Sequence, residues 1–169
     1  MTWLGLLAAL LVSLVLQTGL HWLGLASPYG VDLLLALALI YGLAAPLAEA
    51  RLAGWIIGFG VDLMTEGPLG AHAFALGLTA YFLTVLRERV NGTLWWIRLA
   101  ICFLAALPGQ VLLGLHLRYV LDATGAGLGG LLVSALVLSL TGALVAALAT
   151  FIVPLAQRHG MHGPSWSRG

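Results

Sequence analysis

Residues that could do chemistry are few in this chain of 169 residues, and they are scattered. The histidines are His21, His72, His116, His159 and His162. A helix-borne metal or hydrolytic site needs His-x3-His or Glu-x-x-His on one face. No apolar stretch carries either pair. His159 and His162 sit in the polar C-terminal stretch, where such a pair reads as solvated. Gly125–Gly130 spells G-x-G-x-x-G, but no strand precedes it, so a dinucleotide site is rejected. Serines within the apolar stretches lie among small residues that suit helix packing. Cys102 is the single cysteine, which excludes an intrachain disulfide. These patterns predict no catalytic set, no metal and no cofactor.

Asp62 is the sharpest remaining residue. Gly54, Gly58 and Asp62 recur every four residues, so one helix face carries a glycine groove that ends at an acid. Such a groove lets another helix approach closely, and a polar group on that helix can pair with the acid. An acid inside an apolar span is a functional hypothesis by default. A proton or substrate path would place several such groups on different spans. Here only Gln110, His72 and Gln17 accompany it, so a structural or partner-contact role is expected over ion transport. The less specific reading is that Asp62 caps or hydrates the turn at Gly67, Pro68, Leu69 and Gly70.

Composition sets the elements that must position these residues. Hydrophobic residues make up 62% of the chain and charged ones 8%, and mean hydropathy is +1.07. Soluble domains are roughly half apolar and a quarter charged. The chain is therefore expected to be an all-α integral membrane protein. Net charge is +1, too small to suggest nucleic acid. Breaks at Gly, Pro and charged residues divide the chain into six apolar spans. These run over Trp3–Ala26, Val31–Ala45, Leu52–Met64, Leu69–Leu86, Leu94–Leu117 and Leu131–Leu155. The third is short. Residues 1–156 form the six-helix transmembrane domain and 157–169 a disordered cytoplasmic tail. With no cation before Arg51, the first span reads as an uncleaved helix, not a signal peptide.

Within the spans, Gly5, Ala9 and Ser13 make a small-residue face on the first, Ala73 and Gly77 on the fourth, and Ala135, Ser139, Ala143 and Ala147 on the sixth. Asp32 opens the second span, where an acid suits the positive end of the helix dipole. Residues 46–51 read as a connection. Pro108 and Gln110 predict a kink in the fifth span. All seven cations are arginine. Six crossings with both termini inside place Arg51, Arg87, Arg89, Arg98, Arg158 and Arg168 in the cytoplasm and only Arg118 outside, a strong positive-inside bias. On this topology the Asn91-Gly92-Thr93 sequon is internal and reads as a turn.

The order of spans, Asp32 followed by LLLALALIYGL, and the stretch Gly54, Gly58, Asp62, Leu63, Gly67, Leu69 and Gly70 together resemble the rod shape-determining MreD family. The specific part is the 54–70 stretch; the chain departs in having Gly30-Val31 where the family has a proline before the acid. The resemblance implies a non-enzymatic component of the bacterial elongation (Rod) machinery in the cytoplasmic (inner) membrane. Its implied partner is MreC, and through it the actin-like MreB, the glycan polymerase RodA and RodA's partner transpeptidase, which together direct peptidoglycan synthesis. It also implies a fold similar to the substrate-binding S-components of energy-coupling-factor vitamin transporters. A transporter subunit is thus the alternative, with Trp22, Tyr29, Asp32, Glu66, Arg118, Tyr119 and Asp122 available near an outer pocket.

Overall fold

Helix-forming apolar runs separated by Gly, Pro and polar breaks give six helices and, among the described residues, no strand. The computed structural model describes residues 3–23, 31–65, 69–90, 94–119 and 127–160, with side chains as far as residue 150. The helices are α1 (Trp3–Trp22), α2 (Leu33–Ala44), α3 (Leu47–Asp62), α4 (Ala71–Arg89), α5 (Trp95–Tyr119) and α6 (Leu128–Gly160). Three of them, α1, α5 and α6, are long and apolar enough to cross a membrane.

The short helix is α2, not α3. It has 12 residues, so at 1.5 Å per residue it is about 18 Å long. The expected connection at 46–51 is instead the start of α3, which has 16 residues. Pro46 stands at the N-cap with φ −55°, already suited to a helix start. Glu49 follows in the first turn, where its charge meets the positive end of the dipole. Charge made this segment look like a loop, while its backbone signals belong to a helix start.

Short as it is, α2 is the hub and touches each of the other five helices. Leu35 and Leu39 are completely buried, and Leu6 of α1, Ile57 of α3, Leu83 of α4, Cys102 and Ala105 of α5 and Ala143 of α6 join them in one core. Both ends of α2 are closed by polar side chains. At its start, Asp32 accepts from the backbone N–H groups of Leu34 (3.0 Å) and Leu35 (2.9 Å). Beside it, Gln17 of α1 accepts from Leu33 N–H at 3.0 Å and donates to the Val31 carbonyl at 3.3 Å. At its end, Arg87 of α4 donates through Nη1 to the carbonyls of Gly42 and Leu43 (both 2.8 Å) and Ala45 (2.9 Å). Helix ends leave backbone groups without helical partners, and burial makes those groups expensive to leave bare. The residue just before α2 and two other helices, α1 and α4, supply what α2 lacks.

Small residues set the other contacts. On α6, Ala135, Ser139, Ala143 and Ala147 are all buried, and Ala73 and Gly77 are buried on α4. On α1 the expected face is displaced. Gly5 is exposed and Ala9 and Ser13 half-buried, whereas Leu6 and Leu10 pack inward. α1 lies at the edge of the bundle, where large side chains fill the contact. The fifth span is one continuous helix with Pro108 inside it. Next to Pro108, where a kink is expected, is a point of close approach: a Cβ on Gly109 would collide with Thr79 Oγ1 and sit 2.5 Å from the Ala75 carbonyl oxygen. α6 continues to Gly160, past the expected limit at Leu155.

The charges sort by end. Arg51 donates to Thr84 Oγ1 at 2.9 Å and lies over the Tyr81 ring. Arg87 caps α2, and Arg98 donates to the Thr150 carbonyl on α6 at 3.4 Å. These three arginines share one end of the bundle. Asp32, Asp62, His72 and Arg118 lie at the other.

Candidate functional site

Asp62 is the last residue of α3, and its side chain is almost wholly buried. A carboxylate there faces the negative end of its own helix dipole, an unfavourable place for an anion. The start of α4 compensates. Asp62 Oδ2 accepts from the N–H groups of Gly70 (2.9 Å) and Ala73 (3.0 Å). Oδ1 accepts from the N–H of His72 (3.0 Å) and lies 2.9 Å from His72 Nδ1. A carboxylate can only accept, so Nδ1 carries the proton. The acid thus caps α4 from another helix.

The reason lies in Gly70. It occupies the N-cap of α4 at φ +106°, a left-handed conformation that glycine adopts without a Cβ clash. Glycine has no side chain with which to cap, and Asp62 takes that role. Four donors converge on a group with about four acceptor sites. Its capacity is filled from within the chain, which leaves no lone pair for an ion or a substrate.

Gly54 and Gly58 bring α3 close enough for this. A Cβ on Gly54 would lie 2.5 Å from Ala80 Cβ and 2.8 Å from the Leu76 carbonyl oxygen. One on Gly58 would collide with the His72 carbonyl oxygen and sit 2.5 Å from Ala73 Cα. Opposite, Trp55 of α3 rests on Gly77 of α4, where a Cβ would meet its ring at 2.6 Å. The groove expected to receive another helix therefore receives α4, and the polar group that meets the acid is His72. It is closed within this chain and is not open to a partner's helix. Gly67 and Pro68, the other expected turn residues, lie outside the described residues, as do Tyr29, Glu66 and Asp122.

Comparison with family models, with curated proteins and with solved structures gives no match.

The remaining expected residues have structural partners or stand apart. Asp32 caps α2, and the His72 ring meets Asp62. Sequence reasoning ranked His72 and Gln17 as minor polar groups, yet both tie helices together. The available signal was position: His72 falls in the first turn of α4, and Gln17 falls near the end of α1. Gln110 is buried on α5. Trp22 is largely exposed, and Arg118 lies over the Tyr119 ring at 5.7 Å. Among the described residues, no three His, Cys, Asp or Glu residues gather as a metal site would require.

Proposed function

We propose that the protein is a non-enzymatic membrane scaffold of the MreD type, part of the bacterial cell-wall elongation complex, which binds MreC and helps maintain rod shape. The observation that carries this reading is the saturated carboxylate of Asp62. The residue best suited to chemistry is committed to joining α3 to α4, and Asp32, Gln17 and Arg87 are likewise committed to helix ends. A bundle whose polar groups fasten its own helices is suited to holding a partner in one orientation.

The six helices then cross the cytoplasmic membrane with both termini inside, the end bearing Arg51, Arg87 and Arg98 facing the cytoplasm. At about 18 Å, α2 is shorter than the roughly 30 Å hydrocarbon core. Its two ends fall where no water can satisfy them, which accounts for a cap from a neighbouring helix at each. A partner helix reaches the bundle on a face other than the Gly54–Gly58 groove.

One observation favours the transporter-subunit alternative: a cavity of about 530 Å³ between α4 and α5, at the end away from the arginines. Such a volume suits a small molecule. Of the described residues expected to line an outer pocket, however, only Tyr119 does so, and the described walls are mainly apolar. A vitamin site needs convergent polar groups to orient its ligand. Affinity purification from membranes, with mass spectrometry of proteins and small molecules, separates the readings. Retention of MreC supports the scaffold, and retention of a water-soluble small molecule supports the transporter subunit.

A further inference from the structure

Arg51 is held in a fixed pose without being neutralised. Its Nε donates to Thr84 Oγ1 at 2.9 Å, and its guanidinium lies over the Tyr81 ring, 5.2 Å from the centroid. Both partners belong to α4, so the side chain bridges α3 to α4. Its two terminal nitrogens make no hydrogen bond with the described residues, and neither is enclosed. Arg51 forms no ion pair with a described carboxylate either. One turn beyond Thr84, Arg87 spends Nη1 on the carbonyls of α2 and likewise meets no carboxylate. Two ordered cations at one helix junction thus lack a counter-ion. A guanidinium with free parallel N–H groups is shaped to hold a phosphate or carboxylate by two hydrogen bonds.

An aromatic strip continues from Arg51 along the same surface. Trp55 and Phe59 follow at four-residue spacing on α3, which keeps them near one face. Phe74 and Tyr81 flank them on α4, and all four side chains are about half exposed. Trp55 meets Phe74 edge to face, with ring centroids 6.2 Å apart. At the end of the bundle that holds Arg51, Trp95 and Trp96 are exposed at the start of α5. Exposed tryptophans beside arginines mark the level of lipid headgroups. From that level inward the surface offers a cation first and apolar rings after it, the order of a headgroup and its chain.

We propose that this α3–α4 face binds one anionic phospholipid, its phosphate clamped by the terminal nitrogens of Arg51 and an acyl chain lying along Trp55, Phe59 and Phe74. The inference rests on the membrane reading and is independent of MreC. Charge complementarity selects the headgroup: the phosphate supplies the anion that Arg51 and Arg87 lack, whereas a choline would bring a third cation to the junction. Bound there, the lipid fastens α3 to α4 from outside, as Asp62 fastens them at the other end.

The test uses the full chain purified in detergent and titrated with palmitoyl-oleoyl phosphatidylglycerol, with bound lipids counted by native mass spectrometry. The expected result is one retained lipid, preferred about tenfold over the corresponding phosphatidylcholine. Arg51→Gln should remove that preference. Arg89→Gln deletes an exposed arginine two residues past Arg87 and should change retention less than about twofold. Thermal melting without added lipid checks that each variant folds. If Arg51→Gln does not fold, Arg51→Lys, which keeps the charge but not the fork, should weaken retention about threefold. Equal retention of the two lipids by the wild type would overturn the proposal. So would equal losses in Arg51→Gln and Arg89→Gln, which mark general attraction to a basic surface, or displacement of the lipid by soluble glycerol phosphate. A protein partner lost with Arg51→Gln while lipid retention is unchanged would overturn it too. MreC co-purification is scored separately, so either reading can fail alone.

Discussion

The carboxylate of Asp62, at the end of α3, lies 2.9 Å from Nδ1 of His72, the second residue of α4. Three backbone N–H groups at the start of α4 complete its set of donors. The pair is the visible part of a cap in which one helix supplies the acid that another helix's glycine start cannot.

This arrangement ranks three substitutions. Asp62→Ala leaves three N–H groups bare, that of Ala73 buried and those of Gly70 and His72 partly so, and should destabilise the protein by about 3–5 kcal/mol. Asp62→Asn keeps the shape but loses the charge and replaces one acceptor with a donor, so its effect should be intermediate. His72→Ala removes only the ring bond and should cost about 1–2 kcal/mol. Thermal melting in detergent reads the order. If His72→Ala proves as damaging as Asp62→Ala, the backbone cap is not the main role of the acid.

Glycine positions on α3 should differ sharply. At Gly58 even a methyl group meets backbone atoms of His72 and Ala73, which cannot move without shifting α4. Gly58→Ala should cost about 2–3 kcal/mol. At Gly60 the nearest atom is Leu10 Cδ2 at 3.2 Å, the far end of a flexible side chain. Gly60→Ala should stay within about 1 kcal/mol. Melting of the two variants side by side checks the contrast, and equal effects would place the close contact elsewhere.

Arg87 should not be replaceable by lysine without loss. Its planar guanidinium serves three carbonyls at the end of α2 from one nitrogen. Arg87→Ala should cost about 2–3 kcal/mol, with Arg87→Lys recovering only part. The same melting measurement, with the amount of protein inserted in membranes, gives the readout.

Orientation is testable by labelling. Cys102 is fully buried and should not react, so the wild type supplies a low background. Cysteine introduced at Glu88 should react with a membrane-impermeant maleimide only after the cells are permeabilised. Cysteine at Leu69 should react in intact spheroplasts. The reverse pattern would invert the topology.

Much of the helical fold was legible in the sequence because apolar runs and the Gly, Pro and polar breaks between them are strong signals. The small-residue face of α6 was readable for the same reason, since Ala135, Ser139, Ala143 and Ala147 repeat at helical spacing. Glu49 and Arg51 misled in the other direction: charge suggested a loop, whereas Pro46 and a first-turn acid start a helix. The site was half visible. The spacing of Gly54, Gly58 and Asp62 showed a face, but nothing local said that the helix to meet it was α4. Caps from distant helices, such as Asp62 on α4 or Arg87 on α2, arise from tertiary proximity and leave no sequence spacing to read.

The scaffold proposal turns on what the bundle holds in the membrane. Affinity purification of the tagged chain from its native membranes, with quantitative mass spectrometry, asks this directly. The expected result is MreC recovered in a fixed ratio to the chain, and no water-soluble ligand. Recovery of a tightly bound vitamin-like molecule or an ATP-hydrolysing transporter module, with MreC absent, would contradict it.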